Sequence, residues 1–328
     1  MKTEFSASSH KPEHKTVRYA ELLPRSGNAY KINLHAHSTV SDGYFTPAEL
    51  KDIYMAEGYS AIAFTDHRKC VPHVELTDSN FVALSGIELD YGVFKGPEDH
   101  TRVVHICAVS ENPIADLAQL SKPMDINEIN KDIARLKAEG YFVTVNHPVW
   151  SGMSTDDALA LKGFDAMEIY NTVSVAFSSY TDDSAFYEYY LRARGRAVPI
   201  AADDCHFSDN GKPSYEYCKA FNVIKAPSLS YENITGALRS GATYASTGPL
   251  FEELWIENDV LHVRCSPVCG VHIHARFING VCYHIEDTDC ITETAFDISG
   301  MRDVSAYMWV QLRDSRGGKA WAMPYWFE

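Results

Sequence analysis

No apolar run in this chain approaches the ~20 residues that a membrane helix needs, and residues 1–30 hold no apolar stretch of the kind that follows the first lysine of a secretory signal. Basic residues are scarce as well. Lys plus Arg number 29 against 44 Asp plus Glu, a formal net charge of -15. Such a surface repels phosphate backbones and anionic membranes at long range, which disfavours a nucleic-acid polymer and leaves a small molecule as the expected partner. A repeated cysteine framework is also missing. The eight cysteines (70, 107, 205, 218, 265, 269, 282 and 290) have no regular spacing, and no second close pair follows Cys265 and Cys269 to complete a tetrahedral zinc site. They read as reduced thiols of a cytoplasmic protein. At 328 residues with 45% hydrophobic content, the chain can bury a sizeable core without covalent staples.

Residues 1–29 show no clear periodicity and read as a loose arm. From Tyr30 short apolar strands alternate with helical patterns. Strands are expected at Lys31–Leu34, Ala61–Phe64, Phe81–Leu84, Val103–Val109, Phe142–Val145, Ala166–Tyr170, Ala197–Ala201 and Ala220–Ile224. Helices are expected at Pro47–Glu57, Ile126–Glu139, Phe186–Arg194 and Tyr231–Arg239, the first opened by Thr46 and Pro47 and closed by Gly58. This alternation implies an α/β fold with a parallel sheet or barrel over residues 30–247. After Thr247–Pro249 the pattern turns strand-like throughout, with Leu261–Arg264, Val271–Phe277 and Ala306–Leu312 as examples and no helical window. Residues 248–328 therefore read as a small β-sandwich-like domain.

The chemistry-bearing residues cluster at the ends of these strands. His35 and His37 close the first one, and alternate residues of a strand share a face. Ser41-Asp42-Gly43 follows in the next turn. Thr65-Asp66-His67 ends the second strand, Gly86-Ile87-Glu88 the third, Asn146-His147-Pro148 the fifth, and Asp204-Cys205-His206 lies past Ala197–Ala201. His105 lies in the fourth strand and departs from the pattern, because apolar residues continue after it. Barrel enzymes gather their catalytic groups at the C-terminal ends of strands. Any one of these motifs alone reads more readily as a surface or core histidine, and His272 and His274 are read that way. The conjunction of six reads as a metal site. Imidazole with carboxylate favours Zn, Mn or Fe over Mg or Ca. The set His35, His37, Asp42, His67, Glu88, His105, His147, Asp204 and His206 exceeds the needs of one ion and suits two or three.

This ordered set, from Tyr30 to His206, resembles the polymerase-and-histidinol-phosphatase (PHP) family, and Tyr244–Pro249 is similar to a segment of members with a C-terminal β-domain. The resemblance implies a distorted seven-stranded β/α barrel carrying two or three divalent transition-metal ions. By motif, His35, His37, Glu88 and Asp204 would hold the first ion. Glu88, His105 and His147 would hold the second, with Glu88 bridging, and Asp42, His67 and His206 the third. Some members have His where Asp42 stands. The implied activity is hydrolysis of a small phosphate mono- or diester by hydroxide generated at the metals. The alternatives are a carbamate or carboxylic-ester hydrolase on the same cluster, and a metal-stabilised binding module without turnover. Arg68 is the best-placed cation for a phosphate oxygen, ahead of Lys69 and Lys95. Asp66 is expected to orient a neighbouring ligand, and Asn171 to face the pocket.

Overall fold

The structure is a computed structural model that describes residues 16–92, 103–117, 125–178, 182–193, 195–275 and 282–327. In chain order the elements are β1 Tyr19–Leu23, β2 Asn28–Ala36, α1 Pro47–Ala56, β3 Ala61–Phe64, β4 Val82–Tyr91, β5 Val104–Ser110, α2 Ile126–Ala138, β6 Tyr141–Val145, α3 Thr155–Ala160, β7 Ala166–Asn171, α4 Thr172–Ser178, α5 Ser184–Ala193 and β8 Val198–Ala202. There follow β9 Ser208–Asp209, β10 Lys212–Pro213, β11 Phe221–Ala226, α6 Tyr231–Ser240, β12 Thr243–Ser246, β13 Phe251–Glu257, β14 Val260–Val268, β15 Gly270–His274, β16 Cys282–Ile285, β17 Ile291–Asp297, α7 Met301–Val304, β18 Tyr307–Arg313, β19 Lys319–Ala322 and β20 Tyr325–Trp326. The expected helix end at Arg194, the strand end at residues 276–277, residues 1–15 of the arm, and Lys95 lie outside the described residues.

Local chemistry accounts for the helix boundaries. Thr46 and Glu49 form a reciprocal capping box around Pro47, and Gly58 takes φ +78° just past the end of α1. Asp125 caps α2, whose Ile129, Ile133 and Leu136 form a buried stripe. Ser230 opens α6 and left-handed Gly241 closes it. The sequence reading lacks two short helices, α3, which packs on α5, and α4, which continues directly from β7.

The fold is α/β, with one large mixed sheet running β16-β15-β18-β19-β12-β11-β2-β3-β4-β5-β6-β7-β8. The alternation implies a parallel sheet, and this one is only partly parallel. β5 runs antiparallel to both β4 and β6, and β11 is antiparallel to β2. Parallel pairing needs a long crossover, usually a helix, and among the described residues none lies between β4 and β5. After β8 the chain returns to the end of β2. The Asp204 amide donates to the His35 carbonyl at 2.9 Å, and Ala36 and Cys205 form a parallel bridge. The strand-start residues Ile32, Ala61, Val82, Phe142, Ala166 and Val198 share one buried cluster with Ile234 and Leu238 of α6. That end is packed with hydrocarbon, and the polar strand ends lie at the other.

The C-terminal region layers a second sheet, β1-β13-β14-β17, against the β15-β18-β19 end of the large one. Leu254, Ile256, Leu261 and Val263 of the small sheet join Val271, Ile273, Met308, Val310 and Leu312 of the large one in a common core. Two expectations are corrected here. Part of the supposed arm is strand β1, which pairs with β13, its Tyr19–Leu23 alternation being too short to stand out in sequence. A one-turn helix, α7, also interrupts the strands. β12 pairs with both β11 and β19, so the two regions share one continuous ladder. His274 stacks on Trp309 at 4.1 Å, and burial lowers its pKa to about 4, a core histidine as expected. Seven cysteines are free thiols, and the side chain of Cys282 lies outside the described residues.

Candidate metal centre

Alternation along β2 sends His35 and His37 to one side, and both are fully buried. The loop after them folds back tightly. The Gly43 amide donates to the Ser38 carbonyl at 2.9 Å, and a Cβ at Gly43 would fall 2.2 Å from the His37 carbonyl oxygen. Only glycine permits that approach, which explains Gly43 within Ser41-Asp42-Gly43. Asp42, half exposed, is thereby held at the rim, with Oδ1 3.6 Å from His37 Nδ1 and 3.7 Å from His206 Nε2. Three further site residues take left-handed backbone, namely Arg68, His147 and Asp204 at φ +54°, +25° and +56°. Such conformations are costly for non-glycine residues and concentrate at functional sites. Each follows a strand and turns its side chain at the strand end.

His105 loses its anomaly once the direction of β5 is known. It is the second residue of that strand and pairs with Asp90, so the start of antiparallel β5 lies level with the site end of β4. Glu88 lies within β4 rather than at its end, because β4 continues to Tyr91 to pair with β5.

The nine candidate side chains converge into three groups whose ligand atoms lie within 4.8 Å of one another: His35, His37, Glu88 and Asp204; Glu88, His105 and His147; and His37, Asp42, His67 and His206. The first two match the sets implied by the resemblance, and the third adds His37. Glu88 stands at the centre. Its Oε1 lies 3.3 Å from His35 Nε2 and 3.0 Å from His105 Nδ1, and its Oε2 lies 3.2 Å from His37 Nε2 and 3.1 Å from His67 Nδ1. Asp204 Oδ1 lies 3.1 Å from His35 Nε2 and 3.2 Å from His37 Nε2.

The electrostatics are those of a site built for cations. Burial opposes charge on both Glu88 and Asp204, yet the surrounding histidines outweigh it and hold both carboxyls below their ordinary range. Reciprocally, burial disfavours the His37 cation, but Asp204 and Glu88 raise its pKa to about 9. Divalent metal ions fit this donor set. His35 Nε2 and His37 Nε2 face each other at 3.1 Å, and two buried atoms, His67 Nδ1 and Asp204 Oδ1, lie within 3.2 Å of neighbouring carboxylate or imidazole atoms without forming a hydrogen bond to them. Buried polar atoms without partners are costly and need a reason; an ion between converging imidazoles and carboxylates supplies one.

A supporting layer lies behind the ligands. Glu168, buried, accepts from His35 Nδ1 at 2.8 Å, from the His147 amide at 2.8 Å and from Asn171 Nδ2 at 3.0 Å. Asn171 also donates to Asp204 Oδ2 at 3.1 Å, so it serves the ligands from behind. Ser151 holds His147 Nδ1 at 3.0 Å, which leaves Nε2 facing Glu88. Sequence reasoning passed over Glu168; its only signal was its place three residues before Asn171 at a strand end.

Asp66, expected to orient a neighbouring ligand, acts on the backbone beside Asp42. Its Oδ1 accepts from the Ser38 and Ser41 amides at 2.8 and 3.0 Å, and its Oδ2 from Ser38 Oγ at 2.9 Å. It bolts down the loop that carries Asp42. Arg68 lines a cleft of about 380 Å³ with His67, His105 and Asp90. Its Nε binds Asp90 Oδ1 at 2.6 Å, Nη2 reaches the Asp90 carbonyl, and the guanidinium lies over Tyr91. Lys69 donates to the Val40 carbonyl outside that cleft.

No protein-family model matches the chain, nor does any curated protein. Among solved structures, the chain is similar to a two-domain protein from Bacteroides vulgatus containing a predicted PHP-like metal-dependent phosphoesterase, at 15% identity and TM-score 0.46, over 94% of this chain and 99% of that one. It is also similar to a candidate metal-dependent phosphoesterase from Bifidobacterium adolescentis, at 15% identity and TM-score 0.41, over 58% of this chain and 91% of that one. An amidohydrolase from Chromobacterium violaceum, solved with bound sulfate and no metal, is similar at 15% identity and TM-score 0.39, over 56% of this chain and 90% of that one.

Proposed function

We propose that this chain is a metal-dependent hydrolase of the PHP type, that β2 to β8 form its distorted seven-stranded barrel, and that it cleaves a small phosphate mono- or diester. The observation that carries the reading is the convergence of nine imidazole and carboxylate side chains into three contiguous ligand groups sharing Glu88 and His37. His35, His37, Glu88 and Asp204 would hold one ion, Glu88, His105 and His147 a second, and Asp42, His67 and His206 a third. Divalent ions at such a site supply activated water near neutral pH and stabilise the charge that develops on the reacting oxygens.

The chain's own residues prepare that chemistry. Glu168 accepts the His35 Nδ1 proton and so fixes the tautomer that presents a bare Nε2. Asn171 steadies Asp204, and Asp66 fixes the Ser38–Ser41 loop and with it the rim position of Asp42. Arg68, on the wall of the cleft, is positioned to steady a non-bridging phosphate oxygen. Its pairing with Asp90 also favours a second reading. A guanidinium already neutralised demands less negative charge from its substrate, which suits a carbamate or carboxylic ester.

Protein loaded with Mn and of known metal content should hold two or three ions per chain and turn over phosphate esters steadily. One ion or fewer at saturation would sink the multinuclear reading. Metal-loaded protein with no esterase activity on phosphates, carbamates or carboxylic esters would leave only a binding module.

A further inference from the structure

Aromatic rings continue the line of ligand histidines at both of its ends. Successive ring centroids are 4.8 Å apart for Trp150 and His147, 6.0 Å for His147 and His35, 5.1 Å for His35 and His37, and 4.1 Å for His37 and His206. The line goes on through Phe207, 5.8 Å from His206, to Phe177, 5.3 Å further. The end rings are all exposed, Trp150 the least at 41%. Trp150 is braced edge-on against both His105 and His147. Phe207 and Phe177 are 53% and 59% exposed, so each shows more than half its surface to water directly beside the outermost ligand group.

Among the described residues nothing covers the outer surfaces of these two phenylalanines, and Phe207 lies directly beside His206, where a ligand seated over the outermost group can reach both rings. The two rings meet at 68°, forming an angled corner in which one ring can offer its face and the other its edge. Flat aromatic groups favour both contacts. On the Arg68 side, the lining offers one guanidinium that is already bound to Asp90, so that wall does not favour a second anionic group on the substrate.

From this arrangement we infer that the organic part of the substrate is a flat aromatic group, seated on Phe177 and Phe207 while its ester group lies over the ligand cluster. This rests on the hydrolase reading above and narrows its substrate class to aryl or heteroaryl esters. Phe177 and Phe207 are specificity-determining residues.

The test is the ratio of kcat/KM for phenyl phosphate to that for ethyl phosphate, measured on Mn-loaded parent, Phe177→Leu, Phe207→Leu and the double variant. Leucine keeps an apolar side chain but removes the flat ring. Each single change should lower the ratio several-fold and the double change about tenfold, mainly through KM on the aryl ester, as expected for aromatic pairs. Phenyl and ethyl carbamates serve in the same way if the parent prefers them. Calorimetric binding of the inert phenylphosphonate and ethylphosphonate to metal-loaded protein separates this inference from the hydrolase reading. A parent that prefers the phenyl ligand but turns over no ester contradicts the hydrolase reading alone. No phenyl preference in the parent, or equal losses for both ligands in the double variant, would overturn the inference.

Discussion

Replacing Glu168 by glutamine tests whether the ligand cluster depends on the layer behind it. Glu168 takes three hydrogen bonds, from His35 Nδ1 on Oε1 and from the His147 amide and Asn171 Nδ2 on Oε2. Glutamine has one oxygen where glutamate has two, and a donor in place of the other. If its NH2 faces His35, the ring must give up its Nδ1 proton, place it on Nε2 and lose the lone pair that faces Glu88 and Asp204. If the NH2 faces the other way, two buried donors lose their acceptor, at about 1–3 kcal/mol each. Both outcomes weaken the cluster. Loss of such a carboxylate–histidine contact commonly costs about 10–100-fold in metal affinity. Competition against a chromophoric chelator should show that weakening for Glu168→Gln, with the variant still folded by circular dichroism. Affinity within twofold of the parent would refute the claim that Glu168 sets the His35 tautomer.

Three further outcomes follow from the same geometry. Glu88→Ala removes a ligand shared by two groups, so metal analysis should show the loss of at least one ion and turnover should vanish; activity within about tenfold of the parent, ~1.4 kcal/mol in barrier, would contradict the bridging role. Arg68→Lys loses the guanidinium proposed to steady a phosphate oxygen and should lower phosphate-ester kcat/KM by about 2 kcal/mol of transition-state stabilisation, some thirtyfold, with metal content unchanged and carbamate turnover nearly indifferent. Burial raises the Asp183 pKa to about 7, against the pull of the Val149 amide and His147. Its folded pKa exceeds the unfolded value near 3.9, so its contribution to stability is fully present below about pH 4 and is lost as pH rises through about 7. Urea titrations should therefore find Asp183→Asn more stable than the parent at pH 8, by on the order of 1–4 kcal/mol, and the difference absent near pH 4.

The residues legible in sequence are those whose geometry is local. His35 and His37 share a face because a strand repeats every second residue, and Asp42 returns to them through a loop that only Gly43 can close. Helix ends were legible for the same reason, since Thr46, Pro47 and Gly58 act within one turn of the chain. What stayed hidden is set by partners distant in sequence. His105 looked misplaced because strand direction is decided by pairing, and β5 turned out antiparallel to both of its neighbours. Residues 19–23 looked like loose arm because their partner, β13, lies more than 200 residues away.

Glu168 marks the boundary between the two kinds of information. Nothing in Met167-Glu168-Ile169 distinguishes it from an ordinary strand carboxylate, and its role exists only because β7 lies beside β6 and β8, whose ends carry His147 and Asp204, and because the chain after β8 meets the end of β2, which carries His35. Ligands announce themselves by residue type, since imidazole–carboxylate motifs at successive strand ends are rare by chance. The groups that orient them are chosen for position alone, and almost any residue with the right acceptor will serve. Hence a motif identifies which atoms touch the metal, and the pairing of strands determines which tautomer those atoms adopt. In this chain the second fact decides whether the first can have chemical effect, because His35 with its proton on Nε2 is a donor facing two carboxylates and could not bind a metal there.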